Sequence, residues 1–363
     1  QRRFFTPTNE KDTDSGVADV TYTIKKGDEI VDSNKTGEFT GLEDNTEYTI
    51  EITVTDKAGN TTTITENVRT EKLEPGSISF TEASGNGFAP TNSDAEEKVW
   101  INEDVNTKLT QGNAGTTTYE VTMPDGTKTT YTADTQITTQ EGTYTVTVTT
   151  TDGTNTETVT YYFNVDKTIP TVSINPNTKE YTIAVGNNMA TIGTTLTATD
   201  NENGSGIAFT KYAWSTSKTE EPEAWADFIN ATEVTKSVEG GAYYVWTNVE
   251  DKAGNKAVSV KTSGEFNVGY AVEFNANGGE GEIASQRKEH GVDLTITNEK
   301  PTRDMYIFKG WATSADSKTP EYSVKALYKV DASVRLYAVW SEVVASTTID
   351  AVTTNYDSVQ GAI

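Results

Sequence analysis

This 363-residue chain is poor in cysteine and histidine, the side chains that most often act as nucleophile, base or soft-metal ligand. It has no cysteine and one histidine, His290, which lies in the charged stretch RKEHGVD, a predicted exposed turn. These counts exclude disulfides, thiolate zinc sites, a cysteine nucleophile and multi-histidine metal sites, and leave a Ser/His/Asp arrangement only one base. No nucleophile elbow or phosphate-binding loop occurs. We predict no catalytic or cofactor-binding residues and no enzyme activity, although glycosidase-type carboxylate pairs stay open because their partners meet only in the fold.

The remaining chemistry is that of loop carboxylates, whose hard oxygens suit Ca²⁺. The candidates form two groups, namely Asp200, Glu202, Asn203, Glu250 and Asp251, and Asp12, Asp14 and Asp56. They bind an ion only if the elements that carry them bring the loops of a group together. The alternative is that the same acids cap turns in an acidic protein. We predict no metal ligand and no cofactor, and keep Ca²⁺ open as the alternative.

The net charge is -25, from 29 basic and 54 acidic residues. This charge should repel nucleic acid and anionic membranes, favour solubility and keep the chain monomeric. No run approaches the roughly 18 apolar residues needed to span a bilayer. The chain opens on Gln1 without a signal segment. We expect an excised piece of a longer secreted protein, without its export signal and anchor and with no membrane insertion in this segment.

The loop acids belong to a repeated pattern. The pentapeptide DKAGN occurs at 56–60 and again at 251–255, each time after a segment in which apolar and polar residues alternate. A looser copy, EGTYTVTVTTTDGTN, places Asp152 at the same offset, so the three aspartates are spaced by 96 and 99 residues. Alternation with period two indicates half-buried strands, and heavy use of Thr favours strands over helices.

A repeat of this length, built from short alternating strands, predicts immunoglobulin-like or fibronectin III-like sandwiches. The pentapeptide is then the turn between the last two strands, with Gly59 or Gly254 at positive φ. The tyrosines that open the preceding strand, Tyr48, Tyr144 and Tyr243, lie where a tyrosine corner would bond upstream backbone. In such a sandwich the two loops that carry the candidate Ca²⁺ ligands lie at the same end.

Further similarity aligns SGVADVTYTI (15–24) with SGIAFTKYAW (205–214). The third copy has about 30 more residues in front than the first, as expected for one more strand and its turn. We therefore expect the first sandwich to begin inside its second strand.

The predicted modules are an N-terminally incomplete sandwich at 1–74, sandwiches at 75–166 and 167–268, a different module at 269–341, and the start of a further domain or a linker at 342–363. The joints are short and contain Pro75 and Pro170, without the Gly/Ser richness of a flexible tether. We expect the modules to stack end to end into an elongated molecule. The exception to the strand pattern is TEEPEAWADFIN (219–230), which we predict to form one or two helical turns.

The module at 269–341 contains VEFNANGG, FKGWAT and VRLYAVW. These three signatures resemble the internalin-type B-repeat, also called the Listeria-Bacteroides repeat, a small β-grasp-like module of bacterial surface proteins. The phrases NVDKTIPTVSI and VEDKAGN resemble bacterial immunoglobulin-like domains. Within the module we predict a hairpin turn at Asn277-Gly278-Gly279, since Asn-Gly readily takes two positive φ values, and an aromatic-rich core. Its members are Phe274, Phe308, Trp311, Leu336, Tyr337 and Trp340. The end, NYDSVQGAI, resembles the short helix that opens many right-handed β-helix domains.

The resemblance implies an all-β, multidomain segment of a secreted adhesin-like protein at the bacterial cell surface. Its expected function is a non-catalytic stalk that presents a distal domain, with host protein or glycan bound through adjacent domains. One alternative is an adhesin module that binds host protein or glycan directly, which requires an exposed apolar patch. Trp225 beside Phe228 is the candidate for that patch. A second alternative is a set of accessory modules of a large secreted polysaccharide-degrading enzyme.

Overall fold

The structure is a computed structural model that describes residues 3–4, 15–257 and 261–362. The chain divides into two compact units. The first comprises residues 1–168 together with 202–205 and 252–255, and the second comprises 169–201, 206–251 and 256–363. Strands dominate both units, and within the described residues no helix has the length and apolar character to cross a membrane.

The first unit opens with a small sandwich. Its strands are β1 (Arg3–Phe4), β2 (Val17–Lys26), β3 (Glu29–Asn34), β4 (Glu38–Phe39), β5 (Glu47–Asp56) and β6 (Thr61–Arg69). One sheet has the order β3-β2-β5-β6, and β1 pairs with β4. As predicted from the alternation, β5 buries Tyr48, Ile50 and Ile52, which pack with Ile24 and Phe39.

The second sandwich of this unit has two complete sheets. Its strands are β7 (Ser77–Glu82), β8 (Gly87–Phe88), β9 (Trp100–Ile101), β10 (Val105–Thr110), β11 (Thr116–Thr122), β12 (Lys128–Tyr131), β13 (Thr135–Ile137), β14 (Gly142–Thr151) and β15 (Thr156–Val165). The sheet orders are β13-β10-β7-β8 and β12-β11-β14-β15-β9. Tyr144 and Phe163, both fully buried, stack between them with ring centroids 5.1 Å apart. Strand β9 pairs in parallel with the end of β15.

The second unit contains another sandwich. Its strands are β16 (Thr171–Asn175), β17 (Lys179–Ile183), β18 (Ala190–Thr199), β19 (Ile207–Ser215), β20 (Ala226–Asp227), β21 (Thr232–Val238), β22 (Gly241–Asp251), β23 (Lys261–Thr262) and β24 (Phe266–Asn275). One sheet has the order β16-β18-β21 and the other contains β20-β19-β22-β24. The predicted alignment of the first and third copies holds in detail, because β2 and β19 carry a bulge at the aligned positions Val17/Asp19 and Ile207/Phe209.

The predicted helix at 219–230 is wrong. The segment is irregular apart from β20, which pairs with Lys211 and Tyr212 of β19. Its backbone bonds go to that neighbouring strand, since Phe228 N donates to Thr210 O at 3.1 Å and Phe228 is buried in the sandwich core. Burial of one aromatic side chain at a strand edge outweighs the weak local preference for a helix.

The remaining elements of the second unit form a small β-grasp-like module and a tail. They are β25 (Gln286–Lys288), β26 (Leu294–Thr295), β27 (Tyr306–Ala312), β28 (Leu327–Tyr328), β29 (Val334–Glu342), β30 (Ala345–Ile349), β31 (Val352–Tyr356) and the 3₁₀ helix η1 (Gln360–Ala362). Strand β24 pairs in parallel with β29, which pairs antiparallel with β27, and β30 and β31 form a separate hairpin. The predicted β-rich fold class of tandem sandwiches plus a β-grasp-like module is confirmed.

The aromatic core of this module is centred on Trp311, which is fully buried between Phe274 and Phe308. Leu336 and Trp340 also belong to this core, as predicted. Tyr337 does not, because its side chain lies on the opposite face of β29 from its neighbour Leu336. Asn277 and Gly278 take the predicted positive φ values of 48° and 83°, but they open a longer connection to β25 instead of closing a two-residue hairpin.

Candidate functional site: repeated turns and module joints

The repeated turn is organised by its aspartate. Asp56 Oδ1 accepts hydrogen bonds from Ala58 N and Asn60 N, both at 2.8 Å, and Asn60 Nδ2 donates to Asp56 Oδ2 at 2.7 Å. Gly59 has φ +90°, as predicted. These bonds hold the pKa of Asp56 below its usual value, and the bond from the Asn60 side chain has the largest effect. A carboxylate that accepts several N–H bonds is stabilised in its charged form, so this acid caps the turn.

The looser copy has the same geometry. Asp152 Oδ1 accepts from Thr154 N at 3.0 Å and from Asn155 N at 2.8 Å. Burial alone would raise the pKa of Asp152, but the hydrogen bonds from Asn155 and Thr154 outweigh it and hold the pKa well below its usual value. Turn capping is therefore a shared property of two copies with different sequences.

In this second copy the turn also contacts the preceding sandwich. Asn155 Nδ2 donates to Leu42 O, and Asn155 Oδ1 accepts from Asp44 N, both at 3.1 Å. Asp44 in turn accepts from Leu73 N at 2.9 Å, and Leu73 is fully buried. The asparagine that closes the motif thus ties the first two sandwiches together within the first unit.

The chain between these two sandwiches is fixed as well. Asn113 accepts from Glu74 N at 2.9 Å and donates to Lys72 O at 2.8 Å, while Gly76 N donates to Thr150 Oγ1 at 2.7 Å. Backbone groups that are satisfied in this way leave the linker little freedom to swing.

The third copy repeats the use of the asparagine. Within the first unit, Asn255 Nδ2 donates to Asp166 O at 2.8 Å. The Asp166 side chain accepts from Ser205 N at 2.6 Å, and Ser205 Oγ accepts from Ala253 N at 3.1 Å. Asp166, Ser205 and Asn255 are all buried. The last residue of the pentapeptide therefore has a second role as a contact residue, which the sequence signalled only by its repetition.

The candidate Ca²⁺ ligands meet only in part. In the second unit a carboxylate oxygen of Asp200 lies within 4.8 Å of one of Asp251. Asp200 accepts from Gly206 N at 2.6 Å. Glu250 instead forms an ion pair with Lys256 at 3.1 Å, and Glu202 and Asn203 belong to the first unit and are exposed. Asp12 and Asp14 lie outside the described residues.

The second unit contains a joint that sequence reasoning missed. Strand β24 crosses the predicted boundary at 268–269 without a break. The division of the chain into modules stays a prediction. The first half of β24 pairs with β17 and β22, and the second half pairs with β25 and β29. A separate apolar cluster surrounds its middle. Its buried members are Ile183, Ile192, Val238, Val268 and Tyr270.

Polar contacts add to this joint. Lys288, only 1% exposed, forms an ion pair with Asp331, and that bond holds the pKa of Asp331 below its usual value. His290 is half-exposed, as predicted, and its Nδ1 lies 2.9 Å from the Tyr270 hydroxyl. This hydrogen bond links His290 to the joint.

The patch predicted for an adhesin does not form as a pair. Phe228 is buried in the sandwich core, whereas Trp225 is partly exposed. The neighbouring Ile229 is 77% exposed. A single partly exposed tryptophan gives much less apolar area than a typical binding patch.

Comparison with known proteins identifies one module. Residues 270–339 match the family model of the Listeria-Bacteroides repeat domain. This confirms the resemblance drawn from the three signatures, and the Listeria-Bacteroides repeat therefore begins inside β24. A search of curated proteins gave no match.

Several solved structures are similar at low identity. The three N-terminal domains of the highly immunogenic outer capsid protein of bacteriophage RB49 are 12% identical with a TM-score of 0.44, over 71% of this chain and 90% of that one. The fibronectin(III)-like modules of CbhA from Clostridium thermocellum are 14% identical, with a TM-score of 0.29, over 50% and 94%. A Ca²⁺-stabilised adhesin with which an Antarctic bacterium binds ice is 18% identical, with a TM-score of 0.24, over 70% and 66%. Scores this low say nothing about shared function.

Proposed function

We propose that this chain is a non-catalytic spacer of a bacterial cell-surface protein, outside the cell, that holds a distal domain at a distance. The observation that carries the proposal is that the joint between neighbouring modules is fixed within each unit. Asn155 and Asn113 fix the first two sandwiches, and β24 runs unbroken from a sandwich into the Listeria-Bacteroides repeat. A spacer needs joints that resist bending, and these have the required hydrogen bonds and buried area.

Small-angle scattering on the monomer tests this function. A strand of about ten residues spans roughly 33 Å, so four modules end to end reach on the order of 130 to 150 Å. A rod of that length has a radius of gyration of about 40 Å, against about 21 Å for a compact globule of the same chain length. We expect a radius of gyration near that of the rod. A value near that of the compact globule would rule out the spacer, since the modules would then fold back on one another.

We further propose that the Asp200 and Asp251 pair takes Ca²⁺. Two carboxylates this close repel each other, and a cation between them relieves that repulsion. Calorimetric melting in Ca²⁺ and in chelator tests the idea, with Mg²⁺ as the control ion. We expect Ca²⁺ to raise the transition of the wild-type chain and to leave that of the Asp251→Asn variant unchanged. If the melting temperature of the wild-type chain is the same in Ca²⁺ and in chelator, turn capping is left as the role of these acids.

A further inference from the structure

Strand β24 pairs along one edge with two strands that run in its own direction, β17 beside its first half and β29 beside its second half. Residues Lys179 to Ile183 of β17 pair in parallel with Phe266 to Tyr270, and Val334 to Tyr337 of β29 pair in parallel with Val272 to Asn275. The two partners come from opposite ends of the second unit. Strand β17 is near its start, and β29 is its last strand before the tail hairpin.

This order decides how a stretching force would act. Pulling the ends of the unit apart draws β17 toward its own amino end and β29 toward its own carboxyl end. Because both run parallel to β24, the two pulls are opposite and lie along the strands. All hydrogen bonds of a parallel ladder then bear load at once, whereas a force across the strands would break them one at a time.

Side chains reinforce both ladders. Arg287, on β25, donates from Nη2 to Asn267 O at 3.0 Å and from Nε to Tyr181 O at 3.3 Å, so it bridges β24 and β17. Ser333, at the start of β29, accepts from Ala271 N at 3.1 Å and donates to Ile183 O. Each of these residues of the Listeria-Bacteroides repeat thus contacts the sandwich directly.

The two modules are closely packed at the joint. A Cβ added to Gly240 would lie 2.1 Å from the Tyr270 hydroxyl oxygen, and one added to Gly269 would lie 2.5 Å from Lys288 O. Tyr270 is 7% exposed and Val268 is fully buried. Parting the two modules would therefore expose apolar surface, which is costly.

We propose that β24 is the load-bearing strand of a single mechanical body, in which the sandwich and the Listeria-Bacteroides repeat resist force and unfold together. The tail hairpin and β16, which pairs with β18, lie outside the two loaded ladders. This property goes beyond the spacer function, because it concerns the response to force and not the length of the molecule.

Single-molecule pulling of the full chain from its two ends tests the proposal. We expect the second unit to open in one event that releases about 170 residues, or about 600 Å of contour length at about 3.6 Å per residue. Two separate events of about 360 Å and 260 Å would overturn the proposal, since each module would then yield by itself.

The variants Arg287→Ala and Ser333→Ala test the ladders. Arg303→Ala is the matched control, because Arg303 lies 3.8 Å from the ring centroid of Tyr306 in the same module, and neither residue belongs to the paired positions of the two ladders. Loss of the Arg287 bonds should raise the rupture rate extrapolated to zero force about tenfold, with a smaller rise for Ser333→Ala and none for the control. Equal rupture rates for Arg287→Ala, Ser333→Ala and the control would overturn the assignment of β24 as the load-bearing strand.

Discussion

At the scale of single residues, the tyrosines that open the repeated strands separate into two kinds. The Tyr48 hydroxyl accepts from Glu43 N at 3.0 Å, and the Tyr144 hydroxyl accepts from Gln140 N at 2.7 Å. Tyr243 makes no such bond among the described residues. Only Glu239 and Gly240 connect β21 to β22, and this connection is too short to bring an upstream backbone N–H to the Tyr243 hydroxyl. The predicted corner is therefore present in two sandwiches and absent in the third.

Replacing Tyr48 or Tyr144 with Phe should lower the free energy of unfolding by about 1 kcal/mol, because a partly buried backbone N–H loses its acceptor. Tyr243→Phe is the matched control and should change little. Hydrogen exchange of the strand amides measures each module separately. Equal losses at all three positions would show that the hydroxyl bond is not the cause.

The capping aspartate predicts a pH dependence. The pKa of Asp152 is below its unfolded value of 3.8, so its contribution is fully present above that value and is lost as the pH falls through the folded pKa. Asp152→Asn should cost about 1 kcal/mol at pH 7, since the position is partly exposed and screened, and the difference from wild type should shrink below about pH 4. Urea unfolding at several pH values measures this. Asp28→Asn is the control, because this position is exposed and its side chain makes no hydrogen bond within the part of the chain that the structure describes. A difference that stays constant with pH would contradict the capping role.

At the scale of elements, the strands were readable from the sequence and their partners were not. Alternation identified β5, β14 and β22 because each buries one face. The same pattern in FNVGYAVEFN predicts a strand but cannot show that its two halves pair with different modules, because pairing is a long-range property. The absence of a turn dipeptide within 266–275 was the available signal for the shared strand.

Trp311→Ala tests the core of the Listeria-Bacteroides repeat. Removal of a fully buried indole between Phe274 and Phe308 should cost about 3 to 5 kcal/mol. The control is Trp225→Ala, at a partly exposed position, which should cost much less. Calorimetry of the full chain reports both values, and similar losses would place the core of the module elsewhere.

At the scale of the whole molecule, charge opposes self-association. Strand β6 is the open edge of its sheet and is exposed along almost all its length, which makes it a template for pairing with another copy. The net charge of -25 makes two copies repel at any distance below the screening length, about 10 Å at 0.1 M salt. We expect a monomer by sedimentation at that salt concentration. A dimer whose formation is abolished by an added Pro in β6 would mean that edge pairing overcomes the charge.

The unbroken course of β24 also limits how these modules can be exchanged in evolution or in the laboratory. A recombination point at 268–269 would cut a strand in half, and the product that keeps β17 would lose Gly269 and Tyr270, the partners of Thr182 and Ile183. A graft that began at Tyr270 would carry Arg287 and Ser333 to a scaffold that lacks their acceptors Tyr181 O and Ile183 O. The smallest transferable part of this half of the chain is thus the sandwich and the Listeria-Bacteroides repeat together, cut before β16 and after β29.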